Sequence, residues 1–480
     1  MLFNSFEFLV FLIVVFGLYW FVFNKKIRHQ NILLLLASYI FYGWWDYRFL
    51  SLIILSTLVD YFVGLQIHGT TKASRKKVLL GISMAFNIGL LAFFKYFNFF
   101  VDSWIQLLNS VGYQTQNTWS LNIILPVGIS FYTFQTMSYT IDVYRNKLVP
   151  TKDFISFAAF VSFFPQLVAG PIERASNLLP QILGKRTFSY ENGIQGLRLI
   201  LWGLVKKVVI ADVLALKVDD IFLNYHDFGG GVLWLGAVYF AIQIYCDFSG
   251  YSDIAIGVSK LFGIELMSNF KFPYFSRNVG EFWRRWHISL STWFRDYLYI
   301  PLGGSRKGKL KSLRNVFIIF LVSGLWHGAN WTFVVWGGVH ALLFVPSYIS
   351  GRNRTYTSDI VAENSWFPTL KELGQVLLTF FLVVLAWVFF RSASLTSALE
   401  YISFMFTKFD FPLIYKNGLY SVGSLLFLDW IFRKDERLNF PFLKSVNKKI
   451  LGLVEVIVIL VVVYLISLNT SSSQFIYFQF

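Results

Sequence analysis

The sequence predicts an all-α polytopic membrane protein, and three observations carry that expectation. Of the 480 residues, 56% are hydrophobic and only 14% charged, with 54 Phe. A soluble domain cannot hide that much apolar surface, so lipid must be the solvent for most of it. Apolar runs of about 17–25 residues, the length that crosses a bilayer, recur from end to end. The formal charge of +16 is gathered in short clusters between those runs. That is the pattern of cytoplasmic loops obeying the positive-inside rule, not the basic face that nucleic-acid binding requires. No polar stretch is long enough for a separate soluble domain, so 1–480 reads as a single integral-membrane domain.

In chain order the runs lie near 6–23, 31–47, 49–67, 78–97, 154–172, 195–215, 231–248, 315–333, 372–390, 416–432 and 450–468. Three further runs, near 122–144, 251–266 and 333–349, are interrupted by Pro126, Gly128, Gly257, Gly263, Gly337 and Gly338. Such interruptions suggest bent or re-entrant helices, tolerated where protein or water satisfies the backbone. The first run lacks a basic n-region and a small-residue cleavage site, so it reads as a retained span. Lys25, Lys26 and Arg28 follow it, which places the N-terminus outside; Lys72, Arg75, Lys76 and Lys77 mark another cytoplasmic segment. Lys444, Lys448 and Lys449 precede the last run and send the tail, 469–480, outside. Both ends outside require an even number of crossings, and about twelve fits. Cys246 is the only cysteine, which excludes a disulfide framework and a cysteine-based zinc site. No His-x-x-x-His metal spacing is present, and no metal is expected.

The longest basic stretch, 271–314, carries Arg277, Arg284, Arg285, Arg295, Arg306 and Lys307 among many aromatic residues. One reading is a cytoplasmic interfacial helix anchored by Trp and Tyr. The other is that these cations also receive the phosphates of an acyl donor, which Arg and Lys suit.

Six histidines are present. His29, His68 and His226 lie in or beside loops and read as solvated. His327 stands inside an apolar run, in Ser323-Gly324-Leu325-Trp326-His327-Gly328-Ala329-Asn330-Trp331. An ionisable group at membrane depth is costly and marks function by default. A neutral imidazole there can take a proton from a hydroxyl as a general base, or it can pack a helix while bonded to a carbonyl. The small residues around it leave room for a ligand or a close helix. His340 falls on a different helix face and reads as structural. His287, at the edge of the basic stretch, either orients a substrate or marks an interfacial helix. Asp247 and Asp253, in Tyr245-Cys246-Asp247-Phe248-Ser249-Gly250-Tyr251-Ser252-Asp253, form an acid pair, or they pair with a loop arginine or cap a helix break.

Several of these segments together resemble the membrane-bound O-acyltransferase (MBOAT) family, and most closely its bacterial polysaccharide-acetylating branch. They are Arg284-Arg285-Trp286-His287-Ile288-Ser289-Leu290-Ser291, Asp296 through Gly304, and Leu325-Trp326-His327-Gly328-Ala329. Gln166 through Arg174 and Asp247 through Asp253 add to the likeness, which extends over nearly the whole chain. The resemblance implies a ring of about twelve membrane helices, with re-entrant and interfacial helices, around a funnel. It also implies that His327 is catalytic and His287 its companion.

On that resemblance, a cytoplasmic acyl thioester, acetyl-CoA or a similar donor, is the substrate, and no tightly bound cofactor is expected. Arg284, Arg285 and Arg295 are candidates for donor binding. Trp326, Asn330 and Trp331 are candidates for oxyanion support. The tail ends Phe475-Ile476-Tyr477-Phe478-Gln479-Phe480; it is an aromatic interface anchor, or Tyr477 accepts the acyl group as a relay. The expected setting is the bacterial inner membrane. A secreted SGNH-type acyltransferase is the expected partner, and an extracytoplasmic polysaccharide the final acceptor. The alternatives are D-alanyl transfer in place of acetyl, or a multi-pass transporter of an acyl donor or glycan precursor. A transporter would show inverted repeats and paired broken helices, and neither is visible.

Overall fold

The computed structural model describes residues 1–113, 119–357, 360–412, 414–435, 448–468 and 475–476. Among them there are helices and connecting turns and no strand. They gather into two compact units, Met1–Gly193 with Val258–Leu266 and Ile194–Gly257 with Met267–Phe480. Five helical runs among the described residues are long and apolar enough to cross a membrane: Ile27–Gly69, Ala73–Ser110, Gly230–Leu261, Trp331–Ile349 and Leu370–Arg391. Shorter apolar helices lie at Phe6–Val22, Gly418–Phe432 and Val454–Tyr464. The all-α membrane class is therefore as expected, while length and composition do not fix the count of twelve.

The first unit holds α1 (Phe6–Gly17), α2 (Ile27–Asp46), α3 (Leu50–Gly69), α4 (Ala73–Leu91), α5 (Phe97–Ser110), α6 (Ile129–Tyr144), α7 (Phe154–Ser162) and α8 (Ala175–Leu183). A fully buried polar knot ties α3, α4 and α6. Asp60 accepts hydrogen bonds from Ser83, from Asn87 Nδ2 at 2.8 Å and from Thr140 Oγ1 at 2.8 Å. Away from water a carboxylate persists only when its oxygens are supplied with donors, and two neighbouring helices, α4 and α6, supply them here. The run expected at 154–172 is not one span. Its helix stops at Ser162, because Pro165, Gly170 and Pro171 cannot continue it. The buried turns that follow are held partly by Gln166 Nε2 donating to Gln135 Oε1 at 2.7 Å.

The second unit holds most of α9 (Tyr190–Leu204) and of α11 (Gly230–Leu261), together with α10 (Asp212–Leu223), α12 (Val279–Arg285), α13 (Ile288–Phe294), α14 (Lys309–His327), α15 (Trp331–Ile349), α16 (Leu370–Arg391), α17 (Leu395–Thr407), α18 (Gly418–Phe432) and α19 (Lys448–Leu468). The separate runs expected at 231–248 and 251–266 are one helix of 32 residues. Its glycines serve close packing and do not break it. A Cβ on Gly250 would sit 2.7 Å from the Gly203 carbonyl oxygen, and one on Gly257 2.5 Å from that of Gly196. Both helices thus present glycines seven residues apart at their crossing, the small-residue geometry of membrane helices. Between α9 and α10 the chain widens into a π-helix, Val205–Ala211, the kind of bulge that often marks a functional region.

Candidate active site

His327 is the last residue of α14, and Asn330 opens α15 three residues later by accepting the Thr332 N–H at 3.0 Å. This tight turn folds α15 back on α14, and a Cβ on Gly324 would collide with the Phe333 backbone. Of the two purposes expected for the small residues around His327, close helix packing accounts for Gly324. The histidine is 3% exposed. Its ring lies 5.1 Å from Trp336 of α15, 5.3 Å from Phe390 of α16 and 5.0 Å from Trp326, each nearly perpendicular.

His287 occupies the turn between α12 and α13 and is fully buried. Its backbone is left-handed, with φ +43°, a conformation that non-glycine residues adopt at a cost when their surroundings enforce it. Asn269 provides the enforcement. Its carbonyl accepts the Ile288 N–H at 2.9 Å, its Oδ1 accepts from Ser289 Oγ at 2.6 Å, and its Nδ2 donates to Ser252 Oγ of α11 at 3.0 Å. The turn is thereby tied to the long helix. The imidazole packs on Phe248 at 4.7 Å and on Trp326 at 5.8 Å, and its centroid is 6.4 Å from that of His327. Burial pushes His287 down to about 3, so the ring is neutral at ordinary pH and offers one donor and one acceptor nitrogen. His340, expected to be structural, accepts a hydrogen bond from Trp283 Nε1 at its Nδ1, 3.3 Å away, and stacks on Phe282.

The remaining candidates are distributed differently. Trp326 is buried beside both histidines. Asn330 is committed as a helix cap and donates to the Ala393 carbonyl at 3.2 Å, while Trp331 is 50% exposed. Arg284 donates to the carbonyls of Asn353 and Tyr356. Arg285 and Arg277 both clamp Glu281, which is fully buried, at 2.8 and 3.0 Å. These arginines spend their donors within the protein and fix α12 in place. Arg295 is exposed and pairs with the adjacent Asp296 at 2.8 Å.

Asp247 and Asp253 meet neither a loop arginine nor a helix break, because α11 runs through them. Their partners are lysines of the π-helix. Lys207 Nζ lies 2.7 Å from Asp247 Oδ1 and 2.9 Å from Asp212 Oδ1, and Lys206 Nζ lies 2.8 Å from Asp253 Oδ2. The chain end arrives at the same place. Phe475 and Ile476 are buried, the Phe475 ring lies 4.8 Å from Tyr251 and 6.1 Å from Phe248, and the Ile476 N–H donates to Asp247 Oδ2 at 2.7 Å. Tyr477, the expected relay residue, lies outside the described residues. Asn269 and the lysine pair were not singled out from the sequence. A lone Asn in a connection carries no periodicity, and two lysines inside an apolar run were the only available signal.

The helical membrane chain thus holds two buried histidines on neighbouring turns against a common tryptophan. Residues 84–368 match the MBOAT, membrane-bound O-acyltransferase family, and the chain belongs to that family. It is 42% identical to a probable alginate O-acetylase, AlgI, of Pseudomonas syringae pv. tomato, across 86% of this chain and 76% of the relative. It is 38% identical to a peptidoglycan O-acetyltransferase of Helicobacter pylori, across 76% of this chain and 72% of the relative. A teichoic acid D-alanyltransferase of Streptococcus thermophilus is 30% identical across 55% of this chain and 68% of the relative. The protein is thus an O-acyltransferase of the membrane.

Proposed function

We propose that the protein takes an acetyl group from a cytoplasmic thioester, acetyl-CoA or a close analogue, and passes it across the bacterial inner membrane toward an extracytoplasmic polysaccharide. The observation that carries this reading is the buried His287–His327 pair, with ring centroids 6.4 Å apart. At that spacing one hydroxyl oxygen can reach a nitrogen of each ring. His327 takes the proton of the acceptor hydroxyl as its oxygen attacks the thioester carbonyl carbon. The C–S bond breaks, and the proton passes from His327 to the departing thiolate, so base and acid are the same group. His287, neutral and fixed by Asn269, orients the acceptor or the thioester. Trp326, beside both rings, is the oxyanion donor this geometry favours. Acetyl is preferred to D-alanyl because the two nearer relatives are named for O-acetyl transfer.

The donor's phosphates meet the exposed cations Arg295, Arg306, Lys307, Lys309 and Lys311, while Arg284 and Arg285 act indirectly by holding α12. At the other end of the reaction Tyr477 is the acceptor hydroxyl. The support is that Phe475 and Ile476 are buried against α11, whose Phe248 touches both Phe475 and His287. The next Cα is at most about 3.8 Å further on. A secreted SGNH-type partner then removes the acetyl group from Tyr477, outside the membrane, and delivers it to the glycan.

The test is to incubate membranes with radiolabelled acetyl-CoA and map the label by peptide digestion. Label on the C-terminal peptide in the wild type, and on no peptide in His327→Ala or Tyr477→Phe, is the expected result. Full transfer to glycan in Tyr477→Phe would mean that the glycan is acylated directly.

A further inference from the structure

The ion pairs beside the site do more than neutralise one another. Lys206 and Lys207 are neighbours in sequence, and both are buried. The π-helix lets each face a different carboxylate of α11, Asp253 for Lys206 and Asp247 for Lys207. Lys207 also serves Asp212, and the buried Asp429 lies within electrostatic reach of Lys206, so among the described residues two cations stand against four carboxylates in an apolar interior. Asp247 turns one oxygen to Lys207 and the other to the Ile476 N–H. The tail therefore brings a hydrogen-bond donor to a buried anion, the situation in which such a bond is strong. Two side chains fix the same register. The Phe475 ring rests on Tyr251 and Phe248, and Ile476 joins the apolar core of the second unit.

We propose that Asp247, held by Lys207, is the seat of the C-terminal tail and a positioning residue for the transfer. The bond from the Ile476 N–H sets which tail residue follows next toward the His287–His327 pair. This role rests on the relay reading above, whereas the seat itself does not. A merely hydrophobic anchor would need the side chains of Phe475 and Ile476 and would be indifferent to the amide hydrogen.

Proline at 476 removes that hydrogen and leaves the buried ion pairs untouched. Ile476→Ala keeps the hydrogen and loses the side chain. Seating is read as disulfide formation between Tyr251→Cys and Phe475→Cys in a Cys246→Ala background, quantified by mass spectrometry of digested peptides. Transfer of radiolabelled acetyl is read separately with Tyr251 and Phe475 intact. Loss of a charge-assisted bond predicts a fall of about tenfold in both readouts for Ile476→Pro and Asp247→Asn, with Ile476→Ala closer to the parent. Asp247→Asn alters the core and can fail to fold, but Ile476→Pro keeps every buried ion pair of the site in place and decides the matter. Undiminished crosslinking in Ile476→Pro overturns the seat. Lost crosslinking with unchanged transfer keeps the seat and overturns the positioning role, whereas failure of the relay itself shows as undiminished transfer in Tyr477→Phe.

Discussion

Asn269 shows how a residue outside the histidine pair fixes one member of it. Its side chain joins Ser252 of α11 to Ser289, and His287 is held in left-handed backbone between them. Replacing Asn269 by Ala removes one hydrogen bond from each of two buried serine hydroxyls, at a cost of about 0.5–1.5 kcal/mol for each bond. The expected outcome is a fall of about tenfold or more in the maximal transfer rate, because misplacing a reacting group by an ångström is that costly. Steady-state assays in membranes matched for protein level check it. His287 also leaves a trace in stability. Its folded value near 3 lies below the unfolded value of about 6.5. Below pH 6.5 the unfolded chain therefore binds a proton that the folded chain refuses. Stability falls as pH drops from 6.5 toward 3, by up to about 1.4 kcal/mol per pH unit. Melting curves in detergent between pH 7 and pH 5 should show this decline, and His287→Gln should lessen it. At this scale His327 stood out in the sequence as an ionisable group inside an apolar run, His287 was made its companion only by the family resemblance, and the structure buries the two side by side. Asn269 and Lys207 stayed hidden because their partners are distant in the chain, and distance in sequence carries no signal of contact in space.

The helices were more legible than their interruptions. Most expected apolar runs correspond to helices within a few residues, since bilayer length and apolar composition constrain them strongly. The errors concern Gly and Pro. Gly257 looked like a break in α11, and with Gly250 it is instead the surface on which α9 rests. At 154–172, Pro165, Gly170 and Pro171 did end the helix, although the composition read as continuous. A glycine's role depends on whether a neighbouring backbone fills the space left by its missing side chain, which one chain segment cannot reveal. Gly250→Val tests the packing account. Its Cβ would stand 2.7 Å from the Gly203 carbonyl oxygen, backbone that cannot rotate aside. The change should cost about 1–3 kcal/mol and lower the melting temperature in detergent. Gly374→Val on α16, where a Cβ meets nothing within 4 Å, should leave it nearly unchanged.

Among the described residues, charge and apolar surface are sorted as a membrane enzyme requires. Many large aliphatic and aromatic side chains of the apolar helices are exposed, while several charged groups inside them are buried with partners. Examples are Asp60 with its three donors, and the aspartates of α11 with Lys206 and Lys207. The exposed cations from Arg306 to Lys311 mark the face expected toward the cytoplasm and toward an anionic donor. Their collective replacement by Gln should raise the concentration of acetyl-CoA needed for half-maximal transfer, leaving the maximal rate less affected. Kinetics across a series of donor concentrations check that separation. The most direct test of the central claim is the initial rate of radiolabelled acetyl transfer by purified His327→Ala. Its melting temperature must match the wild type, so that loss of the fold is excluded. The account predicts transfer reduced to the no-enzyme level. Transfer at a rate near that of the wild type would contradict it and remove His327 from the chemistry.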